Sequence, residues 1–167
     1  GTKDNVFFQE KFREYVALRY PFVKIVDIRD TNQENLYEGH ALHLLWKRAL
    51  ELSENSQFLY LHSKGATNSF ITQVIAWRRF LLSTLVEEWP SALEKLSEAD
   101  VVSVVDKKVL NSGNFWWANS DYIKRLPDPM DSPSYTKLGS KYHPGGESYR
   151  YAFEEWITCG VPRFKAV

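Results

Sequence analysis

The chain has 167 residues, with 21 Lys and Arg against 21 Asp and Glu, so its formal net charge is zero. Its length suits one ordinary domain, and its hydrophobic share of 44% and charged share of 25% match those of soluble globular proteins. These proportions exclude disorder, collagen and coiled coil as descriptions of the whole chain. Nucleic-acid binders usually carry a basic excess, which this chain lacks. We therefore expect one domain over residues 1–167 and no nucleic-acid partner.

Cysteine occurs once, at Cys159, so no intramolecular disulfide can form. A lone cysteine is typical of a reducing compartment and indicates a cytoplasmic protein. No apolar run approaches the roughly 20 residues that a membrane-spanning helix needs, and no membrane span is expected. One cysteine and four histidines are also too few to favour a structural zinc site.

Apolar spacings and turn residues predict helices alternating with short strands. In chain order they predict a helix at 5–18, a strand at 22–28, a helix at 38–52, a strand at 57–61, a helix at 69–88, a helix at 91–96, strands at 101–105 and 112–118, a helix at 120–126 and a last helix near 148–158. Pro90 is expected to mark the break between two helices, with Ser91 as the N-cap of the second. Residues 127–148 hold four of the seven prolines and predict a long loop.

This alternation predicts an α/β fold with a mostly parallel sheet and helices on both faces. In such sheets ligands bind beyond the carboxyl ends of the strands. The rule nominates three segments, 27–31, 62–67 and 106–114, as places for a binding site.

The first candidate site is the turn from His62 to Gly65. Gly65 permits a tight turn with exposed backbone N–H groups, Lys64 adds a positive charge, and His62 and Ser63 can donate hydrogen bonds. With the N-terminus of the next helix, these groups suit a diphosphate. The alternative is a loop with a solvated lysine and a strand-end histidine. The turn is neither a Walker A loop nor a dinucleotide fingerprint.

The second candidate is the segment 112–122. Trp116 and Trp117 are adjacent in a predicted strand, so they point to opposite faces, and one can be core while the other walls a cleft. Asn114 and Asn119 offer amide groups suited to a hydroxyl-rich ligand such as a sugar. The alternative is a strand with two core tryptophans, followed by a helix cap.

The third candidate is the acidic pair Glu154 and Glu155 beside Trp156. Neighbouring helical residues point about 100° apart, so one carboxylate can face a cleft while the other is solvated. A carboxylate in a partly apolar site has a raised pKa and can act as a base. The alternative is plain surface charge. Arg78 in the helix at 69–88 either lines the cleft or belongs to a solvated face or a structural ion pair.

In this order, these segments resemble a family of glycosyltransferase-like proteins of GT-A type, with relatives in bacterial polysaccharide pathways and large DNA viruses. The resemblance covers most of residues 37–157 and implies a GT-A-like α/β fold. It also implies hexosyltransferase-like transfer of a sugar from a nucleotide-sugar donor to a glycan or other hydroxyl acceptor. The residues that carry it are Tyr37-Glu38, Leu42, Leu45, Tyr60–Gly65, Trp77-Arg78, Ser112–Ala118, Asp121–Ile123, Leu126-Pro127, Glu154 and Trp156-Ile157.

Roles follow from the resemblance and the candidates above. Glu154 is expected to be the general base if the reaction inverts the anomeric carbon. The donor-binding residues are expected to be His62, Ser63, Lys64, Gly65, Asp27 and Arg78, and the acceptor-binding residues Ser112, Gly113, Asn114, Trp116, Trp117 and Asp121. The alternative function is a catalytically silent GT-A-shaped module that binds a glycan or a nucleotide-sugar, and a third is a purely structural domain.

The chain departs from the family pattern at the metal site. GT-A enzymes commonly hold Mn²⁺ or Mg²⁺ with an Asp-x-Asp motif, and His62-Ser63-Lys64 stands in that place here. Because hard divalent ions prefer carboxylate oxygen, we expect Lys64 and backbone N–H groups to replace the metal. Asp27 and Asp30 can supply carboxylate ligands, so a divalent metal, Mn²⁺ or Mg²⁺, stays an alternative. Leu110-Asn111 stands where relatives carry a histidine and an aromatic residue, and the family's first strand has no counterpart after residue 1.

Overall fold

The computed structural model describes residues 3–19, 21, 25, 38–62, 71–104, 114–131 and 153–167. The chain divides into two compact units, Gly1–Leu36 and Tyr37–Val167. Several predictions fall outside the described residues. These are the strand at 22–28 apart from residue 25, most of the loop at 127–148, and the candidate site residues Asp27, Asp30, Ser63, Lys64, Gly65, Ser112 and Gly113.

The first unit contains one described helix, α1 (Lys3–Arg19), which confirms the helix predicted at 5–18. In this helix the side chains of Phe12, Tyr15 and Leu18 are exposed, whereas Val16 is buried.

The second unit is built on a four-stranded sheet. Its strands are β1 (Gln57–Tyr60), β2 (Val101–Ser103), β3 (Trp116–Asn119) and β4 (Phe164–Ala166), in the spatial order β1-β3-β2-β4. β3 runs antiparallel to both β1 and β2, and only β2 and β4 pair in parallel.

The expected mostly parallel, GT-A-like sheet is therefore wrong for the described strands, which form a mixed sheet. The physical reason is visible in the spacing of the predicted strands. Only residues 106–111 separate the strands predicted at 101–105 and 112–118. A parallel pair needs a crossover of about a dozen residues or more, usually a helix, whereas an antiparallel pair tolerates a short return.

Helices lie in the remaining part of the second unit. They are α2 (Gly39–Glu51), α3 (Thr72–Leu82), a π-helical segment (Ser83–Glu87), α4 (Trp89–Leu96), α5 (Ser120–Ile123), and a turn at 153–155 that leads into a 3₁₀ helix (Trp156–Thr158). The helices are interrupted at Glu88, close to the break predicted at Pro90, and Pro90 itself lies in the first turn of α4, where a missing N–H costs nothing. The N-cap is Glu88, not Ser91.

Helices cover both faces of the sheet. Along β3 successive side chains alternate, so Trp116 packs with Leu42 and Trp156, while Trp117 packs with Leu81 and Leu85 on the other face. The indole Nε1 of Trp117 also donates a hydrogen bond of 2.8 Å to the Leu85 carbonyl in the π-helical segment. Within the described residues, no helix has the length and apolar character needed to span a bilayer.

Candidate functional site

One edge of the sheet gathers the polar residues that the sequence had nominated. Because β3 is antiparallel to its neighbours, its first residue Trp116 lies opposite Tyr60 of β1 and Ser103 of β2. The carboxyl ends of β1 and β2 therefore meet the start of β3. His62 follows β1 and Asn114 precedes β3, so the described residue of each of two nominated segments, 62–67 and 106–114, lies here.

Glu38 is the centre of this edge. It is the N-cap residue of α2, where the positive end of the helix dipole favours a negative charge. Its carboxylate lies 3.1 Å from Nδ1 of His62 and accepts a 2.5 Å hydrogen bond from Nδ2 of Asn114. The hydroxyl of Tyr60 also donates a hydrogen bond to it. We call the set Glu38, Tyr60, His62, Asn114 and Trp116 the Glu38 cluster.

Asn114 connects Glu38 to the sheet. Its side-chain nitrogen donates to Glu38, while its side-chain oxygen accepts a 3.1 Å hydrogen bond from the indole Nε1 of Trp116. The residue is 1% exposed, and its φ of 52° lies in the left-handed region, which Asn adopts more readily than most residues. The backbone conformation and both ends of the amide thus favour Asn at this position.

Aromatic rings form the apolar side of the cluster. The Tyr60 ring stacks on Trp116 with centroids 5.0 Å apart and lies 6.2 Å from the His62 ring. Phe115 meets the same imidazole edge-on at 5.2 Å. The ring of His62 is therefore held between apolar surfaces while its Nδ1 faces the Glu38 carboxylate.

Glu154 contributes charge to the same place. Burial raises the pKa of Tyr60 well above its ordinary value, and the charge of Glu38, the hydrogen bond to Glu38 and the charge of Glu154 raise it further. Tyr60 is therefore a neutral hydrogen-bond donor at any physiological pH. The helical turn that carries Glu154 is packed on the start of α2, since a Cβ placed on Gly39 would lie 2.6 Å from Cζ of Phe153.

The cluster is partly open to solvent. The side chains of Glu38 and His62 are 17% and 19% exposed, whereas Tyr60, Asn114 and Trp116 are buried. The arrangement offers an imidazole and two carboxylates near an aromatic surface. Such groups can form hydrogen bonds with hydroxyl-rich molecules and can accept or donate a proton, and a charged imidazole can bind an anion.

The described residues do not suit a hard divalent cation. Among the described parts of the chain, no group of three or more His, Cys, Asp and Glu side chains is close enough to hold a metal ion. The carboxylate of Glu38 already accepts from Tyr60 and Asn114 and lies against His62. Mg²⁺ and Mn²⁺ need several oxygen ligands. Asp27 and Asp30 lie outside the described residues.

The other sequence-nominated residues occupy different positions. Trp116 is fully buried, and Trp117 packs beneath α3 and the π-helical segment, so neither Trp shows a broad exposed face. Asp121 lies beyond the opposite end of β3, exposed on α5, and pairs with Lys124 at 3.0 Å. Arg78 lies half-buried within α3. The structure therefore brings together His62, Asn114 and Trp116, with the charge of Glu154 acting on the same cluster.

A second polar group lies at the opposite edge of the sheet. A small cavity of about 150 Å³ there is lined by Asn55, Gln57, Leu93, Leu96, Ser97 and Asn119. The side-chain nitrogen of Asn55 donates a 3.3 Å hydrogen bond to the side-chain oxygen of Asn119, and the side-chain nitrogen of Asn119 donates to the Leu96 and Ala99 carbonyls. Asn119 thus joins β3 to the end of α4, and Asn55 accepts hydrogen bonds from Ser120 and Asp121 at the start of α5.

Sequence reasoning gave no role to Glu38 or Tyr60, although both belong to the segments that carried the resemblance. The available signal was local. Glu38 comes directly before a glycine at the start of a predicted helix, and Tyr60 lies two positions before His62 at the end of a predicted strand. Both residues therefore stand at the ends of predicted elements.

The sequence profile of a domain of unknown function, DUF8361, matches residues 23–165. The chain belongs to the DUF8361 family. No curated protein and no solved structure matches the chain. The matched region includes every member of the Glu38 cluster as well as Glu154, so the site lies within the family domain.

Proposed function

We propose that this chain is a glycosyltransferase that moves a sugar from a nucleotide-sugar donor to a glycan or another hydroxyl acceptor. The observation that carries the proposal is the convergence on Glu38 of Tyr60, His62 and Asn114. Residues from three separate elements thus converge at one sheet edge, with the charge of Glu154 beside them. A pre-organised set of hydrogen-bonding groups against aromatic rings suits a sugar substrate.

In the proposed reaction, Glu154 takes the proton from the acceptor hydroxyl. The acceptor oxygen attacks the anomeric carbon, the bond from that carbon to the diphosphate oxygen breaks, and the diphosphate leaves with the electron pair. Glu154 ends protonated, and the configuration at the anomeric carbon is inverted. The charge of Glu154 raises the pKa of Tyr60, which supports a position beside the cluster.

The leaving diphosphate is assigned to His62 and to Ser63, Lys64 and Gly65, which lie outside the described residues. His62 reaches the edge of the site with its Nδ1 against Glu38. Asn114 and Trp116 support the site from inside, because Asn114 is bonded to Glu38 and Trp116 is stacked on Tyr60. In our scheme Asn114 and Trp116 therefore do not contact the acceptor directly, and the partly exposed Glu154 contacts it instead.

Charge neutralisation without a divalent ion is part of the proposal. The described residues do not fit Mg²⁺ or Mn²⁺, and Lys64 with its backbone neighbours supplies positive charge in our scheme. Transfer should then persist in EDTA. A complete loss of transfer that Mn²⁺ restores would contradict this part of the scheme. The lone Cys159 remains the basis for proposing a cytoplasmic setting.

The direct test is a turnover assay with UDP-, GDP- and TDP-sugars, with and without glycan acceptors. Transferases often release some sugar to water, so consumption of one donor class, faster with an acceptor, is the expected result. Binding without consumption of any donor would favour the alternative, a catalytically silent module for a glycan or nucleotide-sugar. A thermal-shift screen with no response to any nucleotide or sugar would contradict both functions and leave a structural domain.

A further inference from the structure

A small cavity lies at the edge of the sheet opposite to the Glu38 cluster. In the pairing of β1 with β3, Tyr60 lies opposite Trp116 at one end, and Gln57 lies opposite Asn119 at the other. The cavity of about 150 Å³ adjoins this second pair. It is therefore separate from the residues to which the proposed reaction gives roles.

A network of hydrogen bonds fixes the amides of Asn119 and Asn55 in the wall of the cavity. The side-chain nitrogen of Asn119 donates to the carbonyls of Leu96 and Ala99, at 3.0 and 2.8 Å, so both of its hydrogens are engaged. Its side-chain oxygen accepts from Asn55, whose own side-chain oxygen accepts from the backbone N–H of Asp121. These partners decide which end of each amide is the nitrogen, and neither amide can turn over without losing hydrogen bonds.

The network leaves hydrogen-bonding capacity next to the cavity. The side-chain nitrogen of Asn55 has two hydrogens and uses one, and the side-chain oxygen of Asn119, 3.3 Å away, has a second lone pair. The side-chain amide of Gln57 has no hydrogen-bond partner among the described residues. The hydroxyl of Ser97 donates to the Glu94 carbonyl at 2.6 Å and can still accept. The lining can therefore both donate to a ligand and accept from it.

The lining favours a neutral ligand that carries hydroxyl groups. Among the described residues that line the cavity none is ionisable, so a charged ligand would lose water without finding an opposite charge. A carboxylate only accepts hydrogen bonds and an ammonium only donates them, whereas a hydroxyl does both and matches the donor of Asn55 beside the acceptor of Asn119. Leu93 and Leu96 form the apolar part of the lining. A cavity of this volume holds one six-membered ring.

We propose that this cavity binds one neutral pyranose ring, as a free monosaccharide or as the terminal residue of a glycan. A ring hydroxyl accepts from Asn55 and donates to Asn119, and a second hydroxyl bonds to the amide of Gln57. The C–H surface of the ring packs on Leu93 and Leu96. The asparagine pair is held in place before the ligand arrives, so binding costs little of its side-chain freedom. This inference goes beyond the proposed transferase and does not depend on it.

The test is a nuclear magnetic resonance titration of the isotope-labelled full chain. The probes are glucose, galactose, mannose and N-acetylglucosamine, each as the free sugar and as its methyl glycoside. At least one should shift the side-chain amide signals of Asn55 and Gln57 to saturation, with a dissociation constant of about 1–10 mM, as suits one small ring. Binding of the glycosides assigns the site to the end of a glycan, and binding of the free sugars alone assigns it to a monosaccharide. If no sugar shifts these signals, the proposal is refuted.

Two glutamine variants locate the binding. Gln57→Ala removes an exposed side chain that lines the cavity, so the fold should be kept while the affinity falls roughly three- to tenfold for the lost hydrogen bond. Gln73→Ala is the matched control, because Gln73 is exposed on α3 and does not line the cavity. It should bind the sugar as the unaltered chain does. Equal affinity in Gln57→Ala and the unaltered chain would overturn the site.

Two smaller probes test the class of ligand. Glycerol has hydroxyls but no ring, and acetamide has a donor and an acceptor but no hydroxyl, so both should bind more weakly than the best sugar. Equal or tighter binding of either would contradict a pyranose site.

The outcomes separate this inference from the proposed function. Turnover of a nucleotide-sugar without any shift of the Asn55 and Gln57 signals by a sugar would refute the cavity site and leave the transferase standing. Sugar binding at the cavity with no turnover of any nucleotide-sugar would support the site and contradict the transferase.

Discussion

The side-chain nitrogen of Asn114 lies 2.5 Å from the carboxylate of Glu38, a residue 76 positions earlier in the chain. This hydrogen bond joins the start of β3 to the start of α2. Both side chains are largely shielded from water. Charge-assisted hydrogen bonds in such surroundings are stronger than neutral ones, and leaving either partner unpaired is costly. The stability and the site geometry of the second unit therefore depend on the same contact.

Replacing Asn114 tests that contact. Asn114→Gly keeps the backbone conformation accessible but removes the partners of Glu38 and Trp116, and should lower the free energy of unfolding by about 2–4 kcal/mol. The measurement is urea denaturation. Asn55→Gly, at an exposed site of asparagine hydrogen bonding, is the control and should cost less. Equal stability of Asn114→Gly and the unaltered chain would refute the structural role.

Alkaline unfolding should report on Tyr60. Its pKa is raised in the folded protein, so the neutral form is retained there while the unfolded chain ionises near pH 10. This contribution to stability is complete below pH 10. Above it, stability falls by up to about 1.4 kcal/mol per pH unit for this tyrosine.

The slope should become shallower in Tyr60→Phe, as measured by urea denaturation between about pH 9 and 11. Burial also raises the pKa of Tyr122, whose hydroxyl donates to the Ile157 carbonyl at 2.7 Å, so Tyr122→Phe should reduce the slope as well. Identical slopes in Tyr60→Phe and the unaltered chain would mean that Tyr60 ionises equally in both states, against the burial described above.

Gly39 should tolerate no side chain while Phe153 is present. A Cβ at Gly39 would lie 2.6 Å from Cζ and 2.8 Å from Cε1 of Phe153, so Gly39→Ala forces one of them to move. A cost of about 1–3 kcal/mol is expected from this overpacking. Phe153→Leu removes the clashing ring atoms, so the double variant should lose less than the sum of the single losses. If the loss of stability in the double variant equals the sum of the two single losses, the two residues do not interact sterically.

Val161 provides a stabilising substitution. Its φ of 52° is strained for a β-branched residue, and its side chain is 88% exposed, so little packing is lost on replacement. Val161→Asn should raise the free energy of unfolding by about 0.5–1 kcal/mol, because Asn tolerates the left-handed region. Val161→Ala keeps a Cβ and should gain less. A thermal melt in which Asn is no better than Val would contradict the strain.

Local patterns predicted most elements, because each is set by a short run of residues. The helix at 38–52 and the strand at 57–61 appear as α2 and β1 within two residues at each end. Strand direction depends on which strands become neighbours, and β4 contains three residues with no alternation to reveal it. The short separation of the strands predicted at 101–105 and 112–118 does indicate the antiparallel pair of β2 and β3. The order of the four strands and the parallel pairing of β4 could not be predicted from a local pattern.

Some residues of the site could likewise be predicted from local patterns, and others could not. His62 and Asn114 could be nominated because they stand at strand ends, and the sheet brings both to one edge. Glu38 could not be assigned a role, because its importance arises from contacts with three residues distant in sequence. The burial of Trp116 was also undecided, since alternation shows only that adjacent tryptophans face opposite ways.

The central claim is tested most directly by comparing two adjacent carboxylates. Glu154→Gln and Glu155→Gln remove equal charge at neighbouring positions, but only the charge of Glu154 is among those that raise the pKa of Tyr60. The measurement is turnover of the accepted nucleotide-sugar with its acceptor, alongside donor affinity. The account predicts a loss of roughly 10²–10⁴-fold in kcat for Glu154→Gln with the donor still bound, and near-normal turnover for Glu155→Gln. Unchanged turnover in Glu154→Gln, or products that retain the anomeric configuration, would contradict it.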